Sequence, residues 1–348
     1  MKILFVLKER FYNNSLVKSY GLMNSATHVS NFLNFMGYDS KVVMVIDGNS
    51  IDKEVYEFKP DIVIIEALWV TPDKMRELIE IKRYQNIQWV VRVHSDSGFL
   101  SSETFALKYI NDYINLDKPN LTIAPNCDQF TNYLSEAMGV NLVYLPNVIR
   151  VERNKSELDK DSPILNIGCF GSLRILKNIL FQAICSIKAA DRLNKELHFH
   201  ITLDANLEDG YQPDSATNPV LRNLEELFKF SRHSLIKHKW QHYDEFQDLV
   251  RHMDIGLQLS YTESFNIVAA DFVNNDIPII TSDAIDWIPS ILRTSTTNYD
   301  KATDKIVRIY NSIFLKYIKS RMHENLREYS KNSEKIWINF IENTLPPI

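Results

Sequence analysis

Short, nearly unbroken apolar runs recur along this chain, each followed by a polar turn and then by a segment whose apolar residues return every three or four positions. Residues 3–7, 41–46, 61–66, 89–94, 121–126 and 143–148 carry the runs and read as buried strands. Residues 23–35, 53–58, 72–81, 102–112 and 131–138 carry the longer period and read as helices. The pattern then breaks: between Arg150 and Ser162 the side chains turn charged, with nothing to bury, and Pro163 ends the stretch. It resumes with strands at 164–170, 197–203, 235–238 and 277–280 and helices at 177–189, 220–230 and 242–252, around a polar loop at 204–218. Residues 292–298 read as a strand or loop, and 302–311, 312–331 and 332–343 as helices. Strand and helix alternating in this way predict α/β domains with parallel sheets covered on both faces.

A length of 348 residues favours two such domains over one. We therefore expect a first domain over 1–150, a linker over 151–163, a second domain over 164–320 and a helical tail over 321–348. That tail is too polar to hold a core unaided, so it should lie across existing structure.

One stretch holds most of the chemical information. Asp254 to Ser260 reads as a buried strand, Tyr261-Thr262 as a polar turn, and Ser264 to about Val273 as a helix, before Ile277-Pro278-Ile279-Ile280 resumes as a strand. Polar groups thus stand at the carboxyl end of a strand, where open parallel sheets bind ligands. If the helix holds throughout, Glu263 and Asp271 stand about two turns apart, along roughly 12 Å of axis. By themselves they also read as a capping carboxylate and a solvated one.

Gly171-Ser172-Leu173-Arg174-Ile175-Leu176-Lys177-Asn178 follows the first strand of the second domain. A glycine turn feeding a helix start offers free amides, and Arg174 and Lys177 add charge, which suits a diphosphate. The spacing is neither that of a P-loop nor of GxGxxG, and taken alone it is equally a helix start with two solvated bases. His94, at the end of a first-domain strand, can donate a hydrogen bond while neutral.

With these residues in view, Glu263-Ser264-Phe265-Asn266…Asp271…Asp276-Ile277-Pro278 resembles the Glu-Ser-Phe-Gly…Glu…Gly-x-Pro signature of retaining, nucleotide-sugar-dependent glycosyltransferases of the GT-B fold, family 4 type. Residues 171–178 resemble the same family's Gly-Arg-Leu…Lys element. The departures are Ser172 for Arg, Asn266 for Gly, Asp271 for Glu and Asp276 for Gly. They suit a divergent lineage, such as a viral one, and equally drift after loss of activity.

The resemblance implies two Rossmann-like domains facing across a cleft, with a C-terminal helix returning to the first. It implies that Lys177 and Arg174, with the amides near Gly171 and Ser172, hold the donor diphosphate, while Glu263 touches the donor sugar and Asp271 the ribose. Ser264, Phe265 and Asn266 line the donor site. His94 orients the sugar, and Lys18-Ser19-Tyr20-Gly21-Leu22, with Gly21, stands for the loop that nears the diphosphate. Pro146-Asn147 resembles the pair before the family's linker. The catalytic set is then Lys177, Glu263 and His94, with no cofactor, no metal and a nucleotide sugar as donor.

The remaining properties bear on partners. The formal net charge of −5 counts against nucleic acid as the main partner. A glycan or lipid-linked saccharide is the expected acceptor, and hydroxylated phage DNA, gripped by Arg83, Arg92, Lys108 and Arg150, ranks behind it. An inactive module binding a glycan or nucleotide is the reading from another class. Cys127, Cys169 and Cys185 suggest neither a disulfide framework nor a metal site. The apolar start is too short for a signal peptide and no run would span a membrane, so the expectation is a cytoplasmic enzyme, with peripheral membrane association left open.

Overall fold

The computed structural model describes residues 1–12, 15–17, 20–154, 158–203 and 218–344. The expected loop positions Lys18 and Ser19, linker positions 155–157, most of the polar loop (204–217) and the end of the tail (345–348) lie outside them. The chain divides into two compact units, Met1–Arg150 with Ser330–Ile348, and Val151–Tyr329.

In the first unit the described elements are β1 (Lys2–Lys8), a short antiparallel hairpin of β2 (Arg10–Tyr12) and β3 (Ser15–Val17), α1 (Tyr20–Phe35), β4 (Asp39–Val45), α2 (Ile51–Phe58), β5 (Ile62–Glu66), α3 (Pro72–Glu80), β6 (Gln88–Val93), α4 (Ser97–Leu100), α5 (Ala106–Ile114), β7 (Leu121–Pro125) and α6 (Asp128–Met138). Strands β4, β1, β5, β6 and β7 pair in that order, every neighbour parallel. Because both faces are covered, β5 is buried at all five positions and β1 at its five central ones, which is why these strands read as unbroken apolar runs. Residues 143–148 do not form the expected strand. They run beside β7 with two backbone bonds, Val143 N to Ile123 O and Leu145 N to Pro125 O, and then leave the ladder to accept side-chain donors. Gly21 likewise sits within α1, not in a loop.

The second unit contains β8 (Ile164–Gly168), α7 (Ile179–Arg192), β9 (Glu196–Thr202), α8 (Pro219–Lys229), β10 (Ser234–His238), α9 (Tyr243–Arg251), β11 (Ile255–Gln258), α10 (Ile267–Asn274), β12 (Ile279–Thr281) and α11 (Tyr299–Tyr310). Its sheet runs β10-β9-β8-β11-β12, all parallel. The order reverses between β8 and β11, and the carboxyl ends of those two strands are where an open parallel sheet is expected to bind ligand. The charged stretch expected as a linker begins with two bonds to this unit: Glu152 N donates to Asn274 Oδ1 and Asn154 N to Asn274 O.

The two expected tail helices are one, α12 (Leu315–Thr344), since nothing between Lys331 and Asn332 stops a helix. Its first part, with Ile318, Met322 and Leu326 buried at every fourth position, belongs to the second unit; from Ser330 it belongs to the first. There Trp337 and Ile341 join the core formed by Phe5, Leu33 and Leu145.

Candidate functional site in the second unit

The turn after β8 and the loop after β11 meet at the point of strand reversal. Gly171 turns the chain at φ +115°, a conformation L side chains rarely adopt, and its amide donates to Thr202 Oγ1. A single 3-10 turn, Ile175–Lys177, then precedes α7, so Lys177 stands just before the helix that was expected to start with it. Asn178, in the left-handed region at φ 57°, makes the junction.

Two glutamines and this asparagine stitch the loops together, and sequence reasoning missed all three. Gln182 donates to Lys177 O and accepts from Leu259 N; Asn178 donates to Leu259 O and Thr296 O; Gln258 donates to Phe170 O. Tyr261 N adds a bond to Leu176 O. Gln182, Gln258 and Asn178 are buried, and a buried amide must find partners; a polar residue inside an otherwise apolar strand or helix face was the available signal.

The outcome is a close pair. Lys177 Nζ donates to Glu263 Oε1 at 2.6 Å, with 19% and 6% of the two side chains exposed. Asn266 Nδ2 donates to the same oxygen at 2.9 Å and to Gln258 Oε1 at 2.8 Å, while Asn266 Oδ1 accepts from Ala269 N and caps α10. Helix α10 therefore starts at Ile267, not Ser264, because Asn266 lies at φ 71°. The two-turn spacing expected between Glu263 and Asp271 fails for that reason: Glu263 to Asn266 is not helical.

Two of the four departures from the family pattern acquire a physical reason here. Asn266 and Asp276 both occupy left-handed backbone, at φ 71° and 56°, and Asn and Asp are the side chains that replace glycine there at least cost. Asp276 also faces His323, Lys319 and Arg153.

Asp271 is neither solvated nor beside Glu263 in the hydrogen-bond pattern. It is buried on α10, accepts from Gln247 Nε2 at 2.8 Å, and burial pushes its carboxyl up to about 7 against the weaker opposing effect of that bond. Phe265 is a packing residue, stacked on Trp287 and Tyr329, with its carbonyl accepting from Trp287 Nε1. Ser264 is half-buried, and Arg174 is exposed, bonding Ser172 Oγ through Nε.

In the first unit, His94 follows β6 and belongs to a buried charged network. Arg92, fully buried, donates to Glu66, Ser25, Leu145 O, Pro146 O and Asn147 Oδ1. Pro146-Asn147, given no chemistry from sequence, thus receives this guanidinium. His94 Nε2 bonds Glu66 Oε2 and its Nδ1 faces Asn126 Nδ2 at 3.3 Å. Burial, aided by Arg92, outweighs the pull of Glu66 and holds His94 below its usual range, so the ring is neutral near pH 7. Burial alone would raise Glu66; Arg92 and His94 prevail and hold it below. Gly21 is exposed at the start of α1. Arg92 cannot serve the basic groove that a DNA acceptor would need, and Arg83 and Lys108 pair with Asp52 and Asp112.

Among the described residues no group of three His, Cys, Asp or Glu converges as a metal site, and no helix is long and apolar enough to cross a membrane.

No family model matches this chain, and no curated protein sequence does. Solved structures do. The sucrose-phosphate synthase of Thermosynechococcus elongatus superposes with a TM-score of 0.68 at 11% identity, covering 99% of this chain and 98% of that one. A UDP-forming α,α-trehalose-phosphate synthase from Burkholderia vietnamiensis gives 0.67 at 11%, covering 99% and 97%. A glycosyltransferase from Rickettsia africae ESF-5 gives 0.64 at 12%, covering 100% and 99%. At such identities the likeness is one of fold: two Rossmann-like parallel-sheet domains and a C-terminal helix, the GT-B architecture.

Proposed function

We propose that this chain is a nucleotide-sugar-dependent glycosyltransferase of the retaining type, in which Lys177 neutralises the departing diphosphate and Glu263 binds the donor sugar. The observation that carries the proposal is the Lys177–Glu263 contact of 2.6 Å at the strand-order reversal of the second sheet. Cleaving a sugar from a nucleoside diphosphate builds negative charge on the leaving group, and a preorganised cation in a shielded site is the most economical way to stabilise it. Before donor arrives, Glu263 holds the ammonium in place, and Asn266 holds Glu263. A bound diphosphate would draw the ammonium toward itself and leave the carboxylate for sugar hydroxyls.

The turn at Gly171 and Ser172 is assigned to the diphosphate, its Gly171 amide held by Thr202 Oγ1 before donor binds, and Arg174, held by Ser172 Oγ, supplies the charge that the family arginine would have given. Asp271 is assigned to ribose hydroxyls; its carboxylate form, which accepts two such bonds, becomes dominant only as pH passes about 7. His94 is proposed separately, as a neutral hydrogen-bonding group for a sugar hydroxyl. No metal is invoked. The similar structures include sugar-phosphate synthases and one bound with UDP-2-fluoro glucose, which supports a nucleotide sugar as donor and a saccharide as acceptor. The enzyme is proposed to act in the cytoplasm.

The test is a panel of nucleotide sugars with detection of released nucleoside diphosphate. We expect at least one donor to be hydrolysed or transferred, with roughly 10²-fold lower turnover in Lys177→Ala. Binding of a nucleotide with no turnover on any acceptor would instead establish the inactive binding module. Against that alternative, Asn266 and Asp276 keep the backbone that glycine would adopt, so those two departures carry no sign of decay.

A further inference from the structure

The second unit has a cavity of about 660 Å³ that contains neither Lys177 nor Glu263. It lies beyond the carboxyl ends of β11 and β12 and is closed on one side by α11. Its volume is that of a small-molecule site. Lys301, Lys305 and Arg308 fall at i, i+4 and i+7 of α11, one stripe of that helix, and all three line the cavity together with Arg293. Arg293 is placed by the segment after the 3-10 turn Ser290–Leu292, which runs beside β12 through the Thr281–Arg293 bridge and the Thr294 N to Thr281 O bond.

The charge in this cavity is cancelled from within only in part, by the ion pair of Asp283 with Arg293. Asp304 is engaged by Arg192, outside it, at 2.5 Å, and Asp283 is largely exposed and stands 3.6 Å from Arg293 Nη1. No carboxylate among the described residues pairs with Lys301, Lys305 or Arg308. Lys305 donates to Ile291 O, and burial, with the positive charge of Arg308, holds its ammonium below the usual range.

Polar groups that find no partner give the second, independent sign. Ser260 and Ser282 are each 1% exposed, both line the cavity, and neither hydroxyl has a hydrogen-bond partner; nor has Arg293 Nε. A buried polar atom without a partner costs free energy, and three of them on one cavity mark a place built for something that bonds to them. Four cations suit an anion that carries more than one charge at neutral pH and offers several acceptor oxygens, as a phosphate monoester does. The serine hydroxyls both donate and accept, which suits a hydroxylated body on that phosphate.

We propose that this cavity binds a small hydroxylated phosphate monoester, held by Arg293, Lys301, Lys305 and Arg308, at a site separate from the Lys177–Glu263 pair. It does not rest on the transferase reading, since binding can be measured without any turnover. The loop that delivers Glu263 also delivers Ser260 and Tyr261 to the cavity, so occupancy is in a position to be felt at the pair.

The experiment is calorimetric titration of the full chain with glucose 6-phosphate, with glucose and inorganic phosphate as parallel arms. Saturable binding of glucose 6-phosphate is expected, weaker binding of phosphate, and none of glucose. The double variant Lys301→Glu/Arg308→Glu, altering two exposed side chains, should fold normally and lose more than about tenfold in affinity. Ser282→Ala, which removes a hydroxyl with no partner to lose, should melt at or above the wild-type temperature yet bind more weakly. Lys177→Ala should bind as wild type does. The proposal is overturned if glucose 6-phosphate does not bind up to about 10 mM, roughly 2.7 kcal/mol of affinity, if the double variant binds unchanged, or if Lys177→Ala abolishes binding. Equal affinity for inorganic phosphate would overturn the hydroxylated body.

Discussion

Asn266 does at one position what glycine would do for the backbone and what glycine could not do for the site. Its φ of 71° demands a tolerant residue, and its side chain caps α10 while fixing Glu263 and Gln258. Asn266→Ala should therefore lose about 1–2 kcal/mol to backbone strain and about 1 more to the lost cap, whereas Asn266→Gly should recover the strain part. Urea unfolding of both variants checks this, and a glycine variant no better than alanine would contradict it. Asp271 gives a pH signature. Its folded-state value, raised to about 7, lies above that of the unfolded chain, so the native state binds the extra proton between the two values. Stability is then unaffected below about pH 4, falls as pH rises toward 7, and levels off above. Asp271→Asn should match wild type in melting temperature near pH 4 and exceed it at pH 8; parallel curves would exclude the assignment. How much of this was legible in the sequence differs by residue. Lys177 and Glu263 were legible as candidates, through the resemblance of the motifs that hold them, since residue type and spacing alone left each equally a helix-end residue. Their contact was not, since Asn178, Gln182 and Gln258, which bring the loops together, look like ordinary amides until the chain is folded.

The unit of strand β11, loop and helix α10 packs around Gly256. A Cβ there would meet the ring of Phe272 at 2.6–2.8 Å, and one at Gly168 would meet Phe170 and Phe272 nearly as closely. Phe272 is fully buried and stacked on Phe170, so it has no room to yield. Gly256→Ala should destabilise by about 1–3 kcal/mol, read as a lower urea midpoint with unchanged slope; a neutral substitution would show that α10 is free to lift. Elements of this kind were the most legible part of the chain, because parallel strands covered on both faces leave continuous apolar runs. Boundaries were less so. The start of α10 depends on one left-handed residue, residues 143–148 trade sheet pairing for the Arg92 guanidinium, and the join within α12 has no stop signal to read.

At the scale of the molecule, the chain is two parallel-sheet units with α12 contributing to both. Trp337 is fully buried in the first unit, donates to Pro146 O at 2.8 Å, packs on Phe5 and lies against the Arg92 guanidinium. Trp337→Ala should cost that unit about 3–5 kcal/mol, seen as an earlier calorimetric transition, and a transition at the wild-type temperature would mean that the end of α12 adds nothing to its core. Two parallel-sheet units were legible from the strand and helix alternation on either side of the charged stretch, while the bonds of Glu152 and Asn154 to Asn274 were not, since charged side chains say nothing of where their backbone amides donate. The central claim is that Lys177, held by Glu263, faces the diphosphate of a nucleotide sugar. Its most direct test is the rate of nucleoside diphosphate release from the best donor, measured for wild type and Lys177→Ala at saturating donor. A fall of about 10²-fold or more is expected; equal rates in a folded variant would contradict it.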